Sequence, residues 1–521
     1  MVPFFIYALC QATTLSLALP YYPLYAIDSG RTKLEKRDYE IIATNFSYIQ
    51  GSYDTEQLQA FKQANSKFAP VSYINSGIAN AMELEMAGRM NVAFYWAGNL
   101  TDSLSSTDTK FRMHLAPAVS PLKASNVIGN VSTKDGYVTF LRFGDEIVKI
   151  VDVTDNGSFV TVARGFDGSQ AMSYKAGVSV FAPVYNSEGF PGGTDEIRYT
   201  VNPMQQFAVD RLVNHTLEVV SYGYKGSWFD LFSDHQYDAV DMGGKRLKAT
   251  WDFTSNAYYT EQSLLEVQKE RLEKVWSMVN KKLGYYPTIL ANNVASCYSR
   301  GNASGECSQL LEKTQTFRPL DGYCLEQFCG MEQNGNSYQS GCDPTKLSFN
   351  WVPTQEWIKH VQIVMDAAQR NLAVFPMVAQ AGCKSVKLEM MGSLRDKFEN
   401  FAYASYLLAV EDPSGVTRLG IPAFYQSGGK RYAYVHPRYT WPIGKPSKTV
   451  PAVRIMEYQA HGHKSFVRPF TGGMVVVNPY NQTDTQIYLD GSYYDPVSQT
   501  MVDALTSKAQ TGYILLKKKV D

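Results

Sequence analysis

The chain has 521 residues, more than one ordinary hydrophobic core accommodates, so we expect one large domain with smaller ones beside it. Lysine plus arginine equals aspartate plus glutamate at 49 each, so the protein as a whole has no excess of positive charge with which to attract nucleic acid. The sequence is 45% hydrophobic and 13% aromatic, which is enough for packed cores and supplies flat side chains that stack on sugars or bases.

The first twenty residues, MVPFFIYALCQATTLSLALP, are apolar and precede polar sequence. This pattern is typical of a secretory signal peptide over residues 1–20, and it predicts a secreted, extracellular protein. The segment lacks a lysine or arginine at its start, so an uncleaved membrane anchor stays as the alternative. No later run is long and apolar enough to cross a bilayer, so we expect no membrane contact apart from this segment.

The cysteines and the glycosylation sequons fit the same secretory route. Six cysteines follow the signal segment and predict three disulfides of open connectivity: Cys297, Cys307, Cys324, Cys329, Cys342 and Cys383. A zinc site is the alternative, but no CxxC pair or HxxxH motif accompanies these cysteines. N-x-S/T sequons predict a glycoprotein and begin at Asn45, Asn99, Asn130, Asn156, Asn214, Asn302 and Asn481.

Apolar runs of strand length alternate with helical patterns through much of the chain. The strand candidates lie at residues 39–49, 68–77, 111–117, 226–233, 287–293, 322–328, 372–380 and 418–426. Short apolar strands joined by helices predict a parallel sheet, and eight of them predict an α/β fold with a (β/α)8 TIM barrel, its first part at residues 21–119 and its second at 186–435. An open doubly wound sheet is the alternative, which the lack of a glycine-rich loop after the first strand disfavours.

Two further stretches carry strand and turn signals without a helical period. Residues 120–185 predict an inserted small β-domain, and residues 436–521 predict a C-terminal antiparallel β-sandwich domain. The insertion resembles small β-barrel modules of phage tail and cell-surface proteins with a V-x-RG-x-DG-[ST]-x-A signature, which stands here as Val162, Arg164, Gly165, Asp167, Gly168, Ser169 and Ala171. A scaffold without a site of its own is the alternative interpretation of this segment.

Polar residues end every predicted barrel strand, where the catalytic groups of such barrels lie. The neutral ones, together with a neighbouring tyrosine, are candidates for substrate binding: Asn45, Asn75, His114, Asn292, Asn293, Gln380, Tyr425 and Gln426. Ser47 is the alternative to Asn45 at the first strand end. Amide and hydroxyl groups of this kind match the donors and acceptors of sugars. Trp228 and Trp251 are candidates for stacking on the sugar, although each tryptophan alone is more often part of a core.

Only two of these strand ends are acidic, Asp230 after GSWF and Glu326 in GYCLEQF. Glycoside hydrolysis needs two carboxyl groups, one protonated and one ionised, and their surroundings separate the two pKa values. We therefore predict Glu326 as the acid/base and Asp230 as the nucleophile. The structural alternatives are a helix N-cap for Asp230 and an ion pair for Glu326.

Two segments resemble the hypothetical glycosyl-hydrolase-like proteins, a TIM-barrel family. The first, YTVNPMQQFAVDRLVNHTLEVVSYGYKGSWFDLFS, is similar to that family's G-x-DG-[IV]-F-x-D strand and supplies Asn202, Pro203, Gly223, Gly226 and Asp230. The second, RPFTGGMVVVNP, supplies Arg468, Phe470, Gly473, Val475, Val477, Asn478 and Pro479. Ser227 and Leu231 depart from the family pattern, so only Asp230 carries over as a site residue. Related glycosidases place the nucleophile after the fourth strand and the acid/base after the sixth, which agrees with our assignment.

The sequence therefore predicts a secreted glycoside hydrolase acting on a polysaccharide, endo-acting and retaining. No cofactor is implied, and a metal is neither required nor excluded. The protein's partners are the polysaccharide or oligosaccharide substrate, and not nucleic acid. Two alternatives stay open: a non-catalytic carbohydrate-binding protein on a TIM-barrel scaffold, and a structural cell-surface protein in which the inserted β-domain acts.

Overall fold

A computed structural model gives the fold of most of the chain. It describes residues 22, 24–27, 34–117, 119–120, 139–154, 157–187, 197–230, 232, 239–292, 321–331, 350–369, 371–378, 388–422, 424–427, 430–447, 455–484 and 486–520. The predicted signal segment lies outside these residues. Two compact units are present: one holds residues up to Tyr73, Val219–Trp228 and the chain from Pro287, and the other holds Ile74–Glu218 and Phe229–Tyr286.

Eight parallel strands follow one another in the order of a closed barrel, with β1 paired to both β2 and β22. Numbered in chain order with all other described strands, they are β1 Leu24–Ile27, β2 Phe46–Gln50, β3 Ala69–Asn75, β13 Gly226–Asp230, β17 Thr288–Asn292, β18 Gly322–Phe328, β21 Val374–Val378 and β22 Leu419–Pro422. The connecting helices are Lys36–Asn45, Thr55–Ala64, Gln206–Tyr222, Glu261–Leu283, Thr354–Gln369 and Leu388–Ala409. The predicted α/β fold is confirmed, with a parallel sheet that curls on itself, and the predicted (β/α)8 TIM barrel stays a prediction.

The candidate strand at residues 111–117 is not part of this sheet, so that prediction was wrong. Phe111 and Met113 are buried and Arg112 and His114 are exposed, an alternation typical of an antiparallel strand with one face in water. Parallel strands with both faces covered do not alternate in this way. The first barrel strand is instead β1, whose four residues LYAI begin four positions after the end of the predicted signal segment at residue 20.

The candidate strand at residues 39–49 is divided between a helix and β2. Lys36–Asn45 is helical, with Tyr39 and Ile42 buried three positions apart on one face. A capping box starts this helix, because the backbone N–H of Glu35 donates to a carboxylate oxygen of Asp38 at 2.9 Å. Local capping thus outweighs the β-branched residues that favoured a strand.

Apolar side chains fill a layer of the barrel interior. They are Val71, Trp228, Leu290, Cys324, Phe375 and Met377. Gly226 lets two strands lie close together, since a Cβ there would be 1.7 Å from the carbonyl oxygen of Thr288, the first residue of β17. This close approach explains one glycine of the family-like segment by packing and not by chemistry.

The inserted sheet is a second closed barrel, antiparallel and six-stranded, with strand order β10-β5-β6-β9-β8-β7. Its strands are β5 Phe94–Leu100, β6 Lys110–Leu115, β7 Phe140–Phe143, β8 Glu146–Thr154, β9 Phe159–Phe166 and β10 Ser179–Pro183. Two of these strands precede residue 120, so the sheet begins earlier than the predicted segment 120–185. The residues of β5 and β6 were predicted to belong to the first part of the TIM barrel, but they belong to the inserted sheet.

The signature of the insertion surrounds a buried ion pair. Nε and Nη2 of Arg164 donate to the two carboxylate oxygens of Glu146 at 2.7 and 2.8 Å, and the side chains are 6% and 0% exposed. The backbone N–H groups of Gly165 and Met172 donate to the same carboxylate at 3.0 and 3.1 Å. Asp167 of the signature pairs with Arg89 at 2.7 Å. These contacts support the scaffold interpretation of the motif.

Four small sheets contain ten of the other described strands. One has the order β14-β11-β12-β4 and contains β4 Ile78–Asn80, β11 Tyr185–Asn186, β12 Arg198–Thr200 and β14 Ala239–Val240. Three two-stranded sheets pair β15 Trp251–Asp252 with β16 Ala257–Tyr258, β19 Gly330–Met331 with β20 Asn350–Trp351, and β23 Phe424–Ser427 with β24 Lys430–Ala433. Short helical segments are Ala81–Ala87, Arg89–Asn91, Pro437–Thr440 and Ile455–Tyr458.

The C-terminal region forms one antiparallel sheet of order β25-β26-β29-β27-β28. Its strands are β25 Phe466–Phe470, β26 Gly473–Asn478, β27 Gln486–Asp495, β28 Thr500–Thr506 and β29 Thr511–Leu516. The predicted sandwich was therefore wrong in its layers, because the described residues from 455 onward hold no second sheet. The sheet packs on the helix Leu388–Ala409 instead.

Arg468 of the second family-like segment joins this sheet to that helix. The buried guanidinium donates to the carbonyl oxygens of Leu408 and Val410 at 2.8 and 2.7 Å, at the carboxyl end of the helix, and it pairs with Glu411 at 2.9 Å. Unsatisfied carbonyl groups and the helix dipole both favour a cation at this end. The arginine on which this resemblance partly rests thus makes a structural contact.

Gly512 of β29 packs directly against the helix Leu388–Ala409, and we expect Gly512→Ala to destabilise the protein. A Cβ there would lie 2.7 Å from Cβ of Ala404 and 2.8 Å from the carbonyl oxygen of Asn400. Overpacking of this kind costs about 1–3 kcal/mol of unfolding free energy. Gly491→Ala is the matched control, because its nearest neighbour is 3.9 Å away. Urea denaturation of both variants measures the difference, and equal midpoints would contradict this packing.

Candidate functional site

Asp230 is the last residue of β13, the fourth strand of the parallel barrel. Trp228, two residues earlier, belongs to the interior layer, so the two-residue period of a strand places Asp230 on the same inward face. Asp230 is half-buried, and its carbonyl oxygen accepts hydrogen bonds from the backbone N–H and the hydroxyl of Ser76 at 2.9 and 2.6 Å. The backbone that carries this carboxylate is thus held in place.

Two arginines stabilise the segment that holds Asp230. Nη2 of Arg271, which is buried, donates to the carbonyl oxygen of Ser76 at 2.9 Å. Arg211 donates to the carbonyl oxygen of Asn75 and pairs with Glu83 at 2.8 Å. Burial, together with the charge of Arg211, lowers the pKa of Arg271 to about 9, which leaves the guanidinium charged at neutral pH. The two arginines thus fix the backbone at Asn75 and Ser76, and Ser76 in turn holds the backbone of Asp230. A preorganised site requires supporting contacts of this kind.

Glu326 lies in β18, the sixth strand of the barrel order, two residues before the strand ends at Phe328. Its strand position is therefore near the carboxyl end, where the sequence predicts it. The correct ordinal position results from two compensating differences, since β1 was missed and residues 111–117 were wrongly counted. The catalytic roles of Glu326 and Asp230 stay predictions.

Tyr73 is a candidate for sugar stacking that sequence reasoning missed. It lies on β3 two residues after the interior Val71, and its side chain is 41% exposed. Its ring lies 5.4 Å from the ring of Trp228 at an angle of 31°. Trp228 is 3% exposed and donates from Nε1 to Sγ of Cys324 at 3.1 Å. The predicted stacking residue thus lies beneath Tyr73, and Tyr73 offers the accessible aromatic face.

Two predicted amides lie at the carboxyl ends of barrel strands. Asn75 ends β3, and its side-chain oxygen accepts the N–H of Gly77 at 3.2 Å. Asn292 ends β17 on the same face as the interior Leu290, and it is 1% exposed. The structure therefore places both at the predicted end of the barrel, and their contact with a substrate stays a prediction.

Two other candidates lie outside the parallel barrel, one on the inserted sheet and one on the two-stranded sheet of β15 and β16. His114 is exposed on β6. Trp251 lies on β15, where its ring packs 5.3 Å from Phe181 and 5.0 Å from Tyr258 at the edge of the insertion's core. The placement of His114 at a barrel strand end was wrong, because an antiparallel insertion occupies this part of the chain. The stacking role of Trp251 stays a prediction.

Asn45 lies at the opposite end of its strand from the one predicted. It ends the helix Lys36–Asn45 and precedes β2, is 7% exposed, and donates to the carbonyl oxygen of Ile41 at 2.7 Å. Tyr425 and Gln426 lie on β23, which pairs with β24, after the barrel strand has ended at Pro422. Asn293 and Gln380 lie outside the described residues.

The two described cysteines do not form disulfides, so the predicted bridges are wrong for them. Cys324 is part of the barrel interior and accepts the hydrogen bond of Trp228. Cys329 follows the same strand and is buried, and burial raises the pKa of its thiol. Both act as small core residues. The other four predicted partners, Cys297, Cys307, Cys342 and Cys383, lie outside the described residues.

The described part of the chain holds no group of three or more metal-ligating side chains. None of its helices is long and apolar enough to span a bilayer.

No protein-family model and no curated protein matches the sequence. Solved structures similar in fold include glycoside hydrolases. The glycoside hydrolase domain of PelA from Pseudomonas aeruginosa is 9% identical, with 78% of this chain and 96% of that chain covered and a TM-score of 0.35. Amy13B of Eubacterium rectale is 9% identical over 97% of each chain, with a TM-score of 0.40.

A pyruvate kinase from Cryptosporidium parvum is also similar, at 8% identity, over 81% of this chain and 67% of that chain, with a TM-score of 0.28. Identities and scores this low carry no argument about activity. The function is therefore argued from the residues of this chain.

Proposed function

We propose that this protein is a secreted glycoside hydrolase that cleaves a polysaccharide internally and with retention, on a (β/α)8 TIM barrel. The observation that carries the proposal is Asp230, a half-buried carboxylate on the inward face at the carboxyl end of the fourth barrel strand. Catalytic residues of (β/α)8 barrels come from this end of the strands. Glu326, near the end of the sixth strand, is the second carboxyl group that the chemistry needs.

The reaction proceeds in two displacements. Asp230 attacks the anomeric carbon while Glu326 gives its proton to the leaving glycosidic oxygen, which forms a covalent glycosyl ester and breaks the glycosidic bond. Glu326, now ionised, takes a proton from a water molecule whose oxygen attacks the same carbon and releases Asp230. Two inversions give net retention, and this route requires carboxyl groups about 5–5.5 Å apart.

Tyr73 supplies the apolar face that a sugar ring needs beside these polar groups. Its exposed ring is backed by the buried Trp228, so little side-chain entropy is lost when a sugar stacks on it. Asn75 and Asn292, at the ends of the strands on either side of β13, add amide groups that match sugar hydroxyls. An aromatic platform with flanking amides and a carboxylate supports a carbohydrate substrate.

We expect Tyr73→Ala to raise KM for the polysaccharide about 10-fold with a smaller change in kcat, because stacking of about 1.4 kcal/mol acts on substrate and transition state alike. Tyr73→Phe should retain most of the affinity. Tyr285→Ala is the matched control, since this tyrosine is 52% exposed but precedes β17 at the strand's amino end. Steady-state kinetics distinguishes the three variants. A lower kcat at unchanged KM would show that Tyr73 does not act as a platform.

Product analysis tests the mode of action. The full chain, expressed in a secreting host and recovered from the medium, is incubated with neutral, amino and acidic polysaccharides. An endo-acting retaining enzyme shortens the polymer to oligosaccharides, and the first anomer seen by NMR matches that of the bond cleaved. Release of monosaccharide alone contradicts endo action, and an inverted first anomer contradicts Asp230 as nucleophile. Retention of the protein in host membranes contradicts a cleaved signal peptide.

A further inference from the structure

A polar cavity of about 650 Å³ opens at the amino ends of the barrel strands. Its lining residues are Thr44, Asn45, Phe46, Ser47, Tyr48, Asn65, Ser66, Lys67, Phe68, Ala69, Lys225, Thr288 and Arg418. Phe46, Ala69 and Thr288 are the first residues of β2, β3 and β17, and Lys225 and Arg418 directly precede β13 and β22. The cavity thus lies where strands begin, whereas Asp230 lies where one ends.

The lining carries three cations, Lys67, Lys225 and Arg418, and no aspartate or glutamate. The two lysines are exposed and the arginine is half-buried. Like charges around one concave space repel one another and focus a positive potential into it. If this end of the barrel were only packed shut, apolar side chains would fill the space, as they do in the interior layer. The cavity instead concentrates positive charge around open space.

Arg418 is positioned to bind an anion. Its Nη1 donates to the carbonyl oxygen of Thr417 at 3.0 Å and to that of Gly415, which fixes the plane of the guanidinium. Its Nε is buried, and no described residue accepts a hydrogen bond from it. A buried donor without an acceptor costs about 1–3 kcal/mol. An oxyanion in the cavity that accepted from this nitrogen would remove that cost, since guanidinium groups bind such anions through two parallel hydrogen bonds.

The neutral groups of the cavity favour the same ligand. Burial, then the charge of Asp321, raise the pKa of the Tyr48 phenol, so this hydroxyl stays protonated and can donate. One oxygen of the Asp321 carboxylate accepts the N–H of Ile289 at 2.7 Å. Ser47 and Thr288 add hydroxyls at the cavity wall.

We infer that this cavity binds an oxyanion group, phosphate or carboxylate, carried on a small molecule of sugar size. The volume fits such a ligand, because sites for small molecules measure about 300–1,000 Å³. Along β17 the terminal Asn292 lies four positions, or about 13 Å, after the cavity residue Thr288. The anion site is therefore separate from the proposed catalytic end of the barrel, and it does not depend on the proposed function.

Isothermal titration calorimetry of the full chain tests the inference with three probes: inorganic phosphate, glucuronate and neutral glucose, all at one ionic strength. Saturable binding of phosphate, glucuronate or both, with none of glucose, is the expected result. Phosphate alone identifies a phosphate ligand and glucuronate alone a uronate. Binding of neither up to about 10 mM, or of glucose equally, overturns the inference.

Variants locate the binding. The double variant Lys67→Gln with Lys225→Gln should bind the anion with at least 10-fold lower affinity. It should fold normally, because both lysines are exposed. Arg418→Gln should abolish binding, and its far-UV circular dichroism reports whether it still folds. Lys175→Gln, an exposed lysine of the inserted sheet, is the matched control. Unchanged affinity in the double lysine variant would overturn the assignment to this cavity.

Discussion

Asp230→Asn and Glu326→Gln are each expected to lower kcat by more than about 10³-fold on the polysaccharide that the protein cleaves. The first substitution removes the nucleophile and the second removes the proton donor, while both keep the size of the side chain. Neither should raise KM strongly, because an amide retains the hydrogen bonds of the ground state. Steady-state kinetics with reducing-end detection measures both effects.

Controls separate the site from general damage. Asp503→Asn, on the exposed edge of the C-terminal sheet, should retain full activity. Azide should partly restore turnover of an activated aryl glycoside by Asp230→Ala, because the small anion attacks the anomeric carbon in place of the missing carboxylate. Activity of Asp230→Asn within about 10-fold of the wild type would remove Asp230 from the mechanism.

Glu146→Ala is the substitution with the largest expected effect on stability. It leaves the guanidinium of Arg164 buried without its carboxylate and also removes the acceptor of two backbone N–H groups. Breaking a buried ion pair in this way costs about 3–5 kcal/mol. Hydrogen exchange of the β8 and β9 amides measures the effect locally, which matters because a chain of two compact units need not unfold in two states.

Asp145→Ala is the neighbouring control, since its side chain is 92% exposed and the change should stay within about 1 kcal/mol. Burial alone would raise the pKa of Glu146, but the hydrogen bonds from Arg164, Gly165 and Met172 outweigh burial and lower it. A lowered folded-state pKa contributes stability above the ordinary carboxyl pKa, and that contribution is lost as the pH falls through the folded value. Equal protection in both variants at neutral pH would contradict this role of Glu146.

The sequence predicted the barrel strands best where apolar runs were continuous. GSWFD, TILAN and VFPMV are such runs, and they became β13, β17 and β21. The four residues LYAI were not predicted as a strand, because the run is short and closely follows the apolar residues of the predicted signal segment. Apolar and polar residues alternate in the run at residues 111–117, which is typical of an antiparallel strand with one face in water. Its place between two segments with barrel-like sequence favoured a barrel strand instead, and that prediction was wrong.

Some residues of the candidate site could be named from the sequence and others could not. Strand-end acids are visible in a sequence, so Asp230 and Glu326 could be named from their positions. Tyr73 could not, because only the packing of its ring on Trp228 and its 41% exposure distinguish it from the other aromatics of the chain. The partners of Arg164 and Arg468 lie 18 and about 60 residues away, so their motifs resembled functional signatures until the contacts were known.

The most direct test of the central claim compares the wild-type chain with the double variant Asp230→Asn with Glu326→Gln on a polysaccharide panel, with new reducing ends as the measurement. The account predicts that the wild type cleaves at least one polymer and that the double variant cleaves none, while still binding that polymer. Cleavage by both proteins would contradict the site. Retention of a polymer without cleavage by either would contradict the hydrolase and favour a carbohydrate-binding protein.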